Sequence, residues 1–143
     1  MKNYFLIGIV VFICSCNSYK RSKFEYRNTD SNVWINTFKS EVFYSCINEG
    51  LKSDSLYKML QKKDLLNMYD GFNIEAIDSA RNLGQTIIKK MPKAYIKIDN
   101  DEKDLVNKNF ISYSCLNYYA SRELDSIAKD AYKKHLKAEK DQY

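Results

Sequence analysis

The sequence predicts an all-α protein: a single compact helical domain of about five or six helices with one interhelical disulfide. Three observations support this prediction. Apolar residues recur at intervals of three and four along most of the chain after residue 32, as on one face of a helix. Glycine and proline, which interrupt helices, number only four and one in 143 residues. Two cysteines, Cys46 and Cys115, fall on these apolar faces, where a bridge would join two helices.

The N-terminus has the organisation of an export signal. Lys2 gives a short positive region, and residues 4–13 form an apolar run broken only by Gly8. This run is too short to span a bilayer, which takes about 20 residues, and has the length of the apolar region of a secretory signal. The run ends in Ile13, a small Ser15 and Cys16, a pattern that resembles the lipobox of bacterial lipoproteins.

In lipoproteins the signal is removed just before the cysteine, which then carries a lipid. Cys16 suits this role better than Cys14, because Cys14 follows Phe12 and Ile13 rather than a small residue. The alternatives are a plain secretory signal, or a buried strand with two incidental thiols. A lipid at Cys16 would contribute about 0.8 kcal/mol of membrane affinity per buried methylene.

The lipobox divides the chain into three predicted regions. Residues 1–15 are the signal peptide, 16–31 are the lipidated N-terminus and a flexible tether, and 32–143 are the helical domain. The protein is then expected to be a membrane-anchored lipoprotein that faces the periplasm. Asn17 favours the outer membrane, because Asp at this position typically retains lipoproteins at the inner one.

The first helix of the domain is predicted over 32–49, and Gly50 is a typical helix end. Its apolar residues follow steps of four: Trp34, Phe38, Val42 and Cys46. A short helix is predicted after Ser53 or Asp54, and another short piece over about 65–69. A longer helix begins at Asn73, a good N-cap, and ends before Pro92.

Gly84 lies inside that longer helix, where glycine costs about 1 kcal/mol relative to alanine unless another helix packs closely. Residues 94–98 alternate briefly, which is a weak strand signal. The helical period resumes with residues on both sides of Cys115, namely Leu105, Phe110, Tyr113, Leu116 and Tyr119. Ser121 is predicted to cap the last helix.

Cysteine usage and charge limit the classes of function. The exported compartment is oxidising, so Cys46 and Cys115 are expected to form a disulfide; the alternative is two separate buried thiols. The net charge of +5 is spread among residues of both signs, which predicts no nucleic-acid binding. A basic cluster near the end predicts either an exposed helix face or loose contact with anionic lipid or an acidic partner: Lys133, Lys134, Lys137 and Lys140.

Residues that could carry catalysis are scarce. His135 is the single histidine, and its lysine-rich surroundings predict a surface position. A Cys–His pair would need a cysteine that the predicted disulfide already uses. The sequence has neither the ligand spacing of a metal site nor a glycine-rich phosphate loop. The chain is therefore expected to be no enzyme, with no catalytic residue, cofactor or metal; a dispersed carboxylate pair is the one enzymatic alternative.

Two stretches resemble a known family. Residues 114–129, SCLNYYASRELDSIAK, are similar to the C-terminal signature of the fourth family of type VI secretion amidase immunity proteins. Residues 72–76, FNIEA, are similar to a helix start of the same family. Cys46 lies where the family has a cysteine that can pair with the later one. Asn117 departs from an acidic position of the signature, and Asn73 from a proline.

The resemblance implies an all-α immunity protein, often a homodimer, that protects the cell wall. Members of the family bind a peptidoglycan amidase in the periplasm and inhibit it sterically, because a loop enters its catalytic cleft. The loop that corresponds best here is 92–104. The acidic tip that would contact the amidase is Asp99, Asn100, Asp101 and Glu102. The competing hypothesis is a structural or adaptor lipoprotein of an envelope complex.

Overall fold

The computed structural model describes residues 32–64, 72–94 and 108–141. This part of the chain contains five helices and no strand. Their bounds are α1 Val33–Leu51, α2 Ser55–Lys63, α3 Ile74–Lys89, α4 Ile111–Tyr119 and α5 Arg122–Lys140. The predicted all-α fold with one interhelical disulfide is confirmed. The predicted piece at 65–69 and most of the weak strand at 94–98 lie outside the described residues.

Helix α1 is the centre of the fold, because each of the other four helices contacts it. Its predicted apolar stripe is the core: Trp34, Phe38, Val42 and Cys46 are each no more than 2% exposed. Phe72, just before α3, is buried edge-on against Trp34, with ring centroids 4.9 Å apart. Leu124 and Ala128 of α5 complete this apolar cluster.

Helices α1 and α3 run parallel and approach closely at Gly84. A Cβ atom on Gly84 would lie 2.4 Å from the carbonyl oxygen of Val42 and 2.9 Å from the amide nitrogen of Cys46. Only glycine leaves room for this backbone approach. From the sequence, a helical glycine is expected to destabilise α3 unless another helix packs closely against it. Helix α1 packs against Gly84 in this way. The N-cap prediction is also confirmed, since Asn73 Oδ1 accepts a hydrogen bond from Ala76 N at 2.9 Å.

The prediction that Gly50 ends the first helix is wrong. Helix α1 continues to Leu51, and Lys52 ends it in the left-handed conformation, with φ of 52°. Gly50 lies within the helix, where a Cβ would be 2.5 Å from Ile111 Cγ2 and 3.0 Å from Ile88 Cγ1. Because Gly50 has no side chain, Ile88 of α3 and Ile111 of α4 can pack closely against α1 at this point; no turn is formed there.

Helices α4 and α5 lie one after the other along α1, antiparallel to it. The pairs that set this register are Gly50 with Ile111, Cys46 with Cys115, Phe43 with Tyr119, Lys39 with Asp125, and Trp34 with Tyr132. The break between the two helices is at Ala120, and Ser121 caps α5 as predicted, since its Oγ accepts from Leu124 N at 3.1 Å.

The Cys46–Cys115 disulfide joins α1 to α4, with Cα atoms 5.9 Å apart and a sequence separation of 69 residues. Closing a loop of this length in the unfolded chain is worth about 4 kcal/mol in the chain-entropy model. Both cysteines are buried, so the bridge is part of the core. Within the described ranges, no helix is both long and apolar enough to cross a bilayer.

The surface position predicted for His135 is wrong. Its side chain is 7% exposed, and its ring stacks on Trp34 with centroids 5.3 Å apart. The prediction of a surface position rested on the lysines that neighbour His135 in the sequence. Its spacing from Leu124, Ala128 and Ala131 places it instead on the inward face of α5, and this period is the signal that the sequence contained.

Candidate protein-binding surface

The acidic tip and the lipidation residue predicted from the sequence lie outside the described residues. They are Asp99, Asn100, Asp101 and Glu102 at the tip, and Cys16. The described chain stops at Ala94 and resumes at Lys108. The first described element after the tip is α4.

Helix α4 carries an exposed row of large apolar side chains. Phe110 at its N-cap is 62% exposed, Tyr113 is 68% exposed and Leu116 is 56% exposed. Their spacing of three residues places them on one side of the helix. A row of two aromatic side chains and a leucine turned to solvent is typical of a surface that binds another protein. We call these three residues the α4 row.

The opposite side of α4 is held in the core. Ile111 packs against Gly50, Cys115 forms the disulfide, and the ring of Tyr119 lies 5.9 Å from that of Phe43. A nine-residue helix is only marginally stable by itself. The covalent bond and these contacts therefore hold the α4 row in a fixed orientation.

The spacing of the apolar residues in the sequence does not distinguish the exposed side of α4 from its buried side. Phe110, Tyr113, Leu116 and Cys115 all fit a helical spacing, and the structure separates them into an exposed side and a buried side. The sequence does show that α4 is apolar over most of its circumference, which is unusual for a helix with one buried face. A helix of this kind is buried on several sides or has an additional partner.

An open groove runs beside α4, between it and the end of α3. It has a volume of about 400 Å³ and is lined by Ile87, Met91 and Pro92 on one wall and by Ser114, Asn117 and Tyr118 on the other. The mixed lining of apolar side chains and a few hydrogen-bonding groups suits a peptide segment or a protruding side chain.

Tyr118 contributes a neutral hydroxyl to the wall of this groove. Burial of the phenol, and secondarily the nearby carboxylate of Glu123, raise the pKa of Tyr118 to about 12. Its hydroxyl donates to Glu123 Oε1 at 3.3 Å. This bond also joins the side chains of α4 and α5 across the break at Ala120.

A polar cluster on α1, away from α4, holds α3 in place along α1. The carboxylate of Glu41 is 5% exposed and accepts from Arg81 Nε at 3.0 Å. Ser45 Oγ donates to the carbonyl oxygen of Arg81 at 2.8 Å, and the guanidinium lies 5.5 Å from the ring centre of Tyr57. A buried carboxylate needs such partners, so this cluster has a structural role in setting the register of two parallel helices.

The structure keeps the histidine apart from the cysteines. His135 stacks on Trp34 near the start of α1, whereas Cys46 is twelve residues further along the helix, or about 18 Å away along the axis. The disulfide also occupies both sulfur atoms. A Cys–His nucleophilic pair is therefore excluded for these residues. The described residues contain no group of three or more His, Cys, Asp and Glu side chains placed to hold a metal ion.

Comparisons with protein-family models, curated proteins and solved structures find no match to this chain. Its function is therefore inferred from the geometry of the described helices together with the sequence.

Proposed function

We propose that this chain is an exported, lipid-anchored immunity protein that binds a peptidoglycan amidase of the type VI secretion system and inhibits it sterically. The observation that carries the proposal is the α4 row. It is an exposed apolar surface, fixed by a disulfide and positioned directly after the segment with the predicted acidic tip.

The α4 row has the chemistry of the centre of a protein interface. Phe110 and Tyr113 each supply a large rigid area, and Tyr113 adds a polar hydroxyl. A few such anchors usually carry most of the binding energy of an interface. The groove beside α4 gives the partner a recess next to the row. Because the disulfide pre-orders the helix, little conformational entropy is lost when the partner binds.

The acidic tip would supply the second part of the interface. Glu102 precedes Phe110 by eight residues, so one partner can contact both. Carboxylates at the rim of an interface accelerate association with a basic partner and orient it, while the apolar centre slows dissociation. An amidase whose cleft mouth is covered in this way could not admit the peptide stem of the cell wall.

Protection of living cells tests the proposal. A peptidoglycan amidase encoded beside this chain is exported to the periplasm of a host, where it lyses the cells. Co-expression of the full-length chain is expected to restore growth, whereas the same chain without residues 1–15 stays in the cytoplasm and is expected not to. Lysis that continues when the full-length protein is exported and oxidised would favour the adaptor hypothesis.

A further inference from the structure

The outer face of α5 carries a line of positive charge that the proposed function does not use. Its residues, which we call the basic stripe, are Arg122, Lys129, Lys133, Lys137 and Lys140. They are separated by steps of seven, four, four and three, which keeps them on one side of a helix. All five are exposed. The 19 residues of α5 extend for about 28 Å, so the stripe is a straight line of charge along the whole of α5.

The basic stripe lies opposite the side of α5 that enters the core. Leu124, Ala128 and His135 point inward, and the stripe occupies the positions about half a turn away. Leu136, which is 38% exposed, lies at the edge of the stripe. The stripe is thus a convex surface with lysine side chains and one accessible apolar side chain.

Most of the acidic side chains of α5 are directed to other partners. Glu123 accepts from Tyr118, Asp125 pairs with Lys39 of α1, and Glu139 lies 3.4 Å from His135 Nε2. Asp130 pairs with a stripe residue, Lys133, at 3.1 Å, and Asp125 also attracts Lys129 electrostatically. Within the described chain Lys129, Lys137 and Lys140 form no ion pair, so the stripe keeps a net positive charge.

The second half of α5 lies at the end of the domain where the described chain begins. Trp34, in the first turn of α1, stacks on His135 in the second half of α5. The described chain therefore begins at the same level along α5 as Lys133 and Lys137, on the inward side of that helix. Helix α4 packs near the other end of α1, where Ile111 meets Gly50 and Cys115 bonds to Cys46, and its opposite side carries the α4 row. A surface that contacts the stripe leaves that end free for a partner.

We propose that the basic stripe is a membrane contact that binds the headgroups of anionic phospholipids. A straight, convex line of lysines can place all of its charges on one flat anionic surface at the same time. Lysine clusters on one face of a helix bind anionic lipid through summed electrostatic attraction. The exposed Leu136 can enter the headgroup layer, and the long lysine side chains can reach around it to the phosphates.

Amine labelling of the full chain tests this contact without a change of sequence. The purified full chain is reconstituted in vesicles of phosphatidylcholine alone, or of phosphatidylcholine with phosphatidylglycerol. A water-soluble acylating reagent is added, and the labelling rate of each lysine is read by mass spectrometry. Lys58, Lys62 and Lys63 of α2, which are also exposed, are the control inside the same molecule.

We expect the stripe lysines to be labelled about fivefold more slowly on the phosphatidylglycerol vesicles, and this protection to disappear in high salt. The α2 lysines should react equally on both vesicles. Equal labelling of the stripe on both vesicles would overturn the proposal and leave the stripe to an acidic protein. Equal protection of the stripe lysines and the α2 lysines would also overturn the proposal, because any exposed lysine would then bind the vesicles equally well.

A variant pair gives an independent readout. In the stripe variant Lys129, Lys133, Lys137 and Lys140 are changed to Gln; in the control variant the same change is made at Lys58, Lys62, Lys63 and Lys89. Both full-length variants lose the same charge from exposed positions. With Cys16→Ser added to each to remove the anchor cysteine, we expect only the stripe variant to lose affinity for phosphatidylglycerol vesicles, by about a thousandfold. Equal losses in both would contradict the proposal.

Discussion

The carbonyl oxygen of Val42 lies 2.4 Å from the position of the Cβ that Gly84 lacks. Two parallel helices therefore contact through their backbones at the centre of the fold. Because the neighbouring atom belongs to the backbone of α1, it cannot turn aside as a side chain does. The fit of α1 to α3 depends on this glycine, and with it the position of the buried Glu41–Arg81 pair.

Gly84→Ala should lower the free energy of unfolding by about 2 kcal/mol, since overpacking of this kind typically costs 1–3 kcal/mol. The higher helix propensity of alanine offsets only part of this. Gly50→Ala is the matched control, because its new Cβ would meet the flexible side chains of Ile111 and Ile88 and should cost less. Urea unfolding measures both. A Gly84→Ala protein as stable as wild type would contradict the close backbone contact.

Removal of the disulfide should affect both stability and binding. In a Cys46→Ala/Cys115→Ala variant we expect the free energy of unfolding to fall by about 4 kcal/mol, by the chain-entropy model. The remaining fraction of folded protein should bind the partner more weakly, because α4 is no longer fixed to α1. Urea unfolding and calorimetric titration measure the two effects. If the folded variant binds the partner with unchanged affinity, the α4 row does not need the disulfide for binding.

A change in the α4 row should weaken partner binding without unfolding the protein. Tyr113→Asp places a charge at an exposed position and should reduce affinity by a factor of about 30, as expected for the loss of an interface anchor worth about 2 kcal/mol. Ile74→Asp is the matched control, because Ile74 is an equally exposed apolar residue on α3, 73% exposed. The same loss in both variants would refute a specific role for the row.

The acidic tip should contribute mainly to the rate of association. Asp101→Lys is expected to weaken inhibition and lower the association rate about tenfold at low salt, with little change in stability. Asp78→Lys, at an exposed position of α3, is the control for net charge. Stopped-flow binding separates the two rate constants. If Asp101→Lys inhibits as well as wild type, the assignment of residues 99–102 to the interface is wrong.

Tyr118 gives the fold a dependence on alkaline pH. Folding raises its pKa from 10.0 to about 12, chiefly through burial and then through Glu123. The raised pKa means that the protonated phenol is favoured in the folded state. This stabilisation is complete below pH 10 and is lost as pH rises through about 12. The difference between ultraviolet titrations of wild type and Tyr118→Phe should show this late step; a step near 10 would contradict the burial.

Local signals in the sequence predicted much of the fold. Trp34 and Cys46 belong to a stripe with steps of four, and such a stripe identifies the buried face of an isolated helix. Asn73 and Ser121 were recognised as N-caps because a cap depends only on the next three residues. The disulfide follows from the presence of two cysteines in a domain that the N-terminal sequence predicts to be exported. Each of these inferences needs only neighbouring residues or a count.

The features that the sequence did not reveal depend on contacts between distant residues. Gly50 resembles a helix end, and only the presence of Ile111 across the core explains its place inside α1. The lysines beside His135 in the sequence predict a surface position, whereas its ring stacks on Trp34 in the core. The exposed and buried sides of α4 share one period, so only the packing of Cys115 on Cys46 shows which side faces solvent. The separation of the basic stripe from the α4 row is equally a property of the tertiary fold.

In the proposed function, this chain inhibits a peptidoglycan amidase by occupying its cleft. Its most direct test is a titration of an amidase encoded beside it with oxidised protein from Ser22 onward, which retains all of the described residues, with muropeptide cleavage as the readout. We expect activity to fall linearly to zero at one chain per enzyme, and Tyr113→Asp to shift the curve to higher concentration while Ile74→Asp does not. Full cleavage activity in an excess of folded, disulfide-bonded protein would contradict the claim.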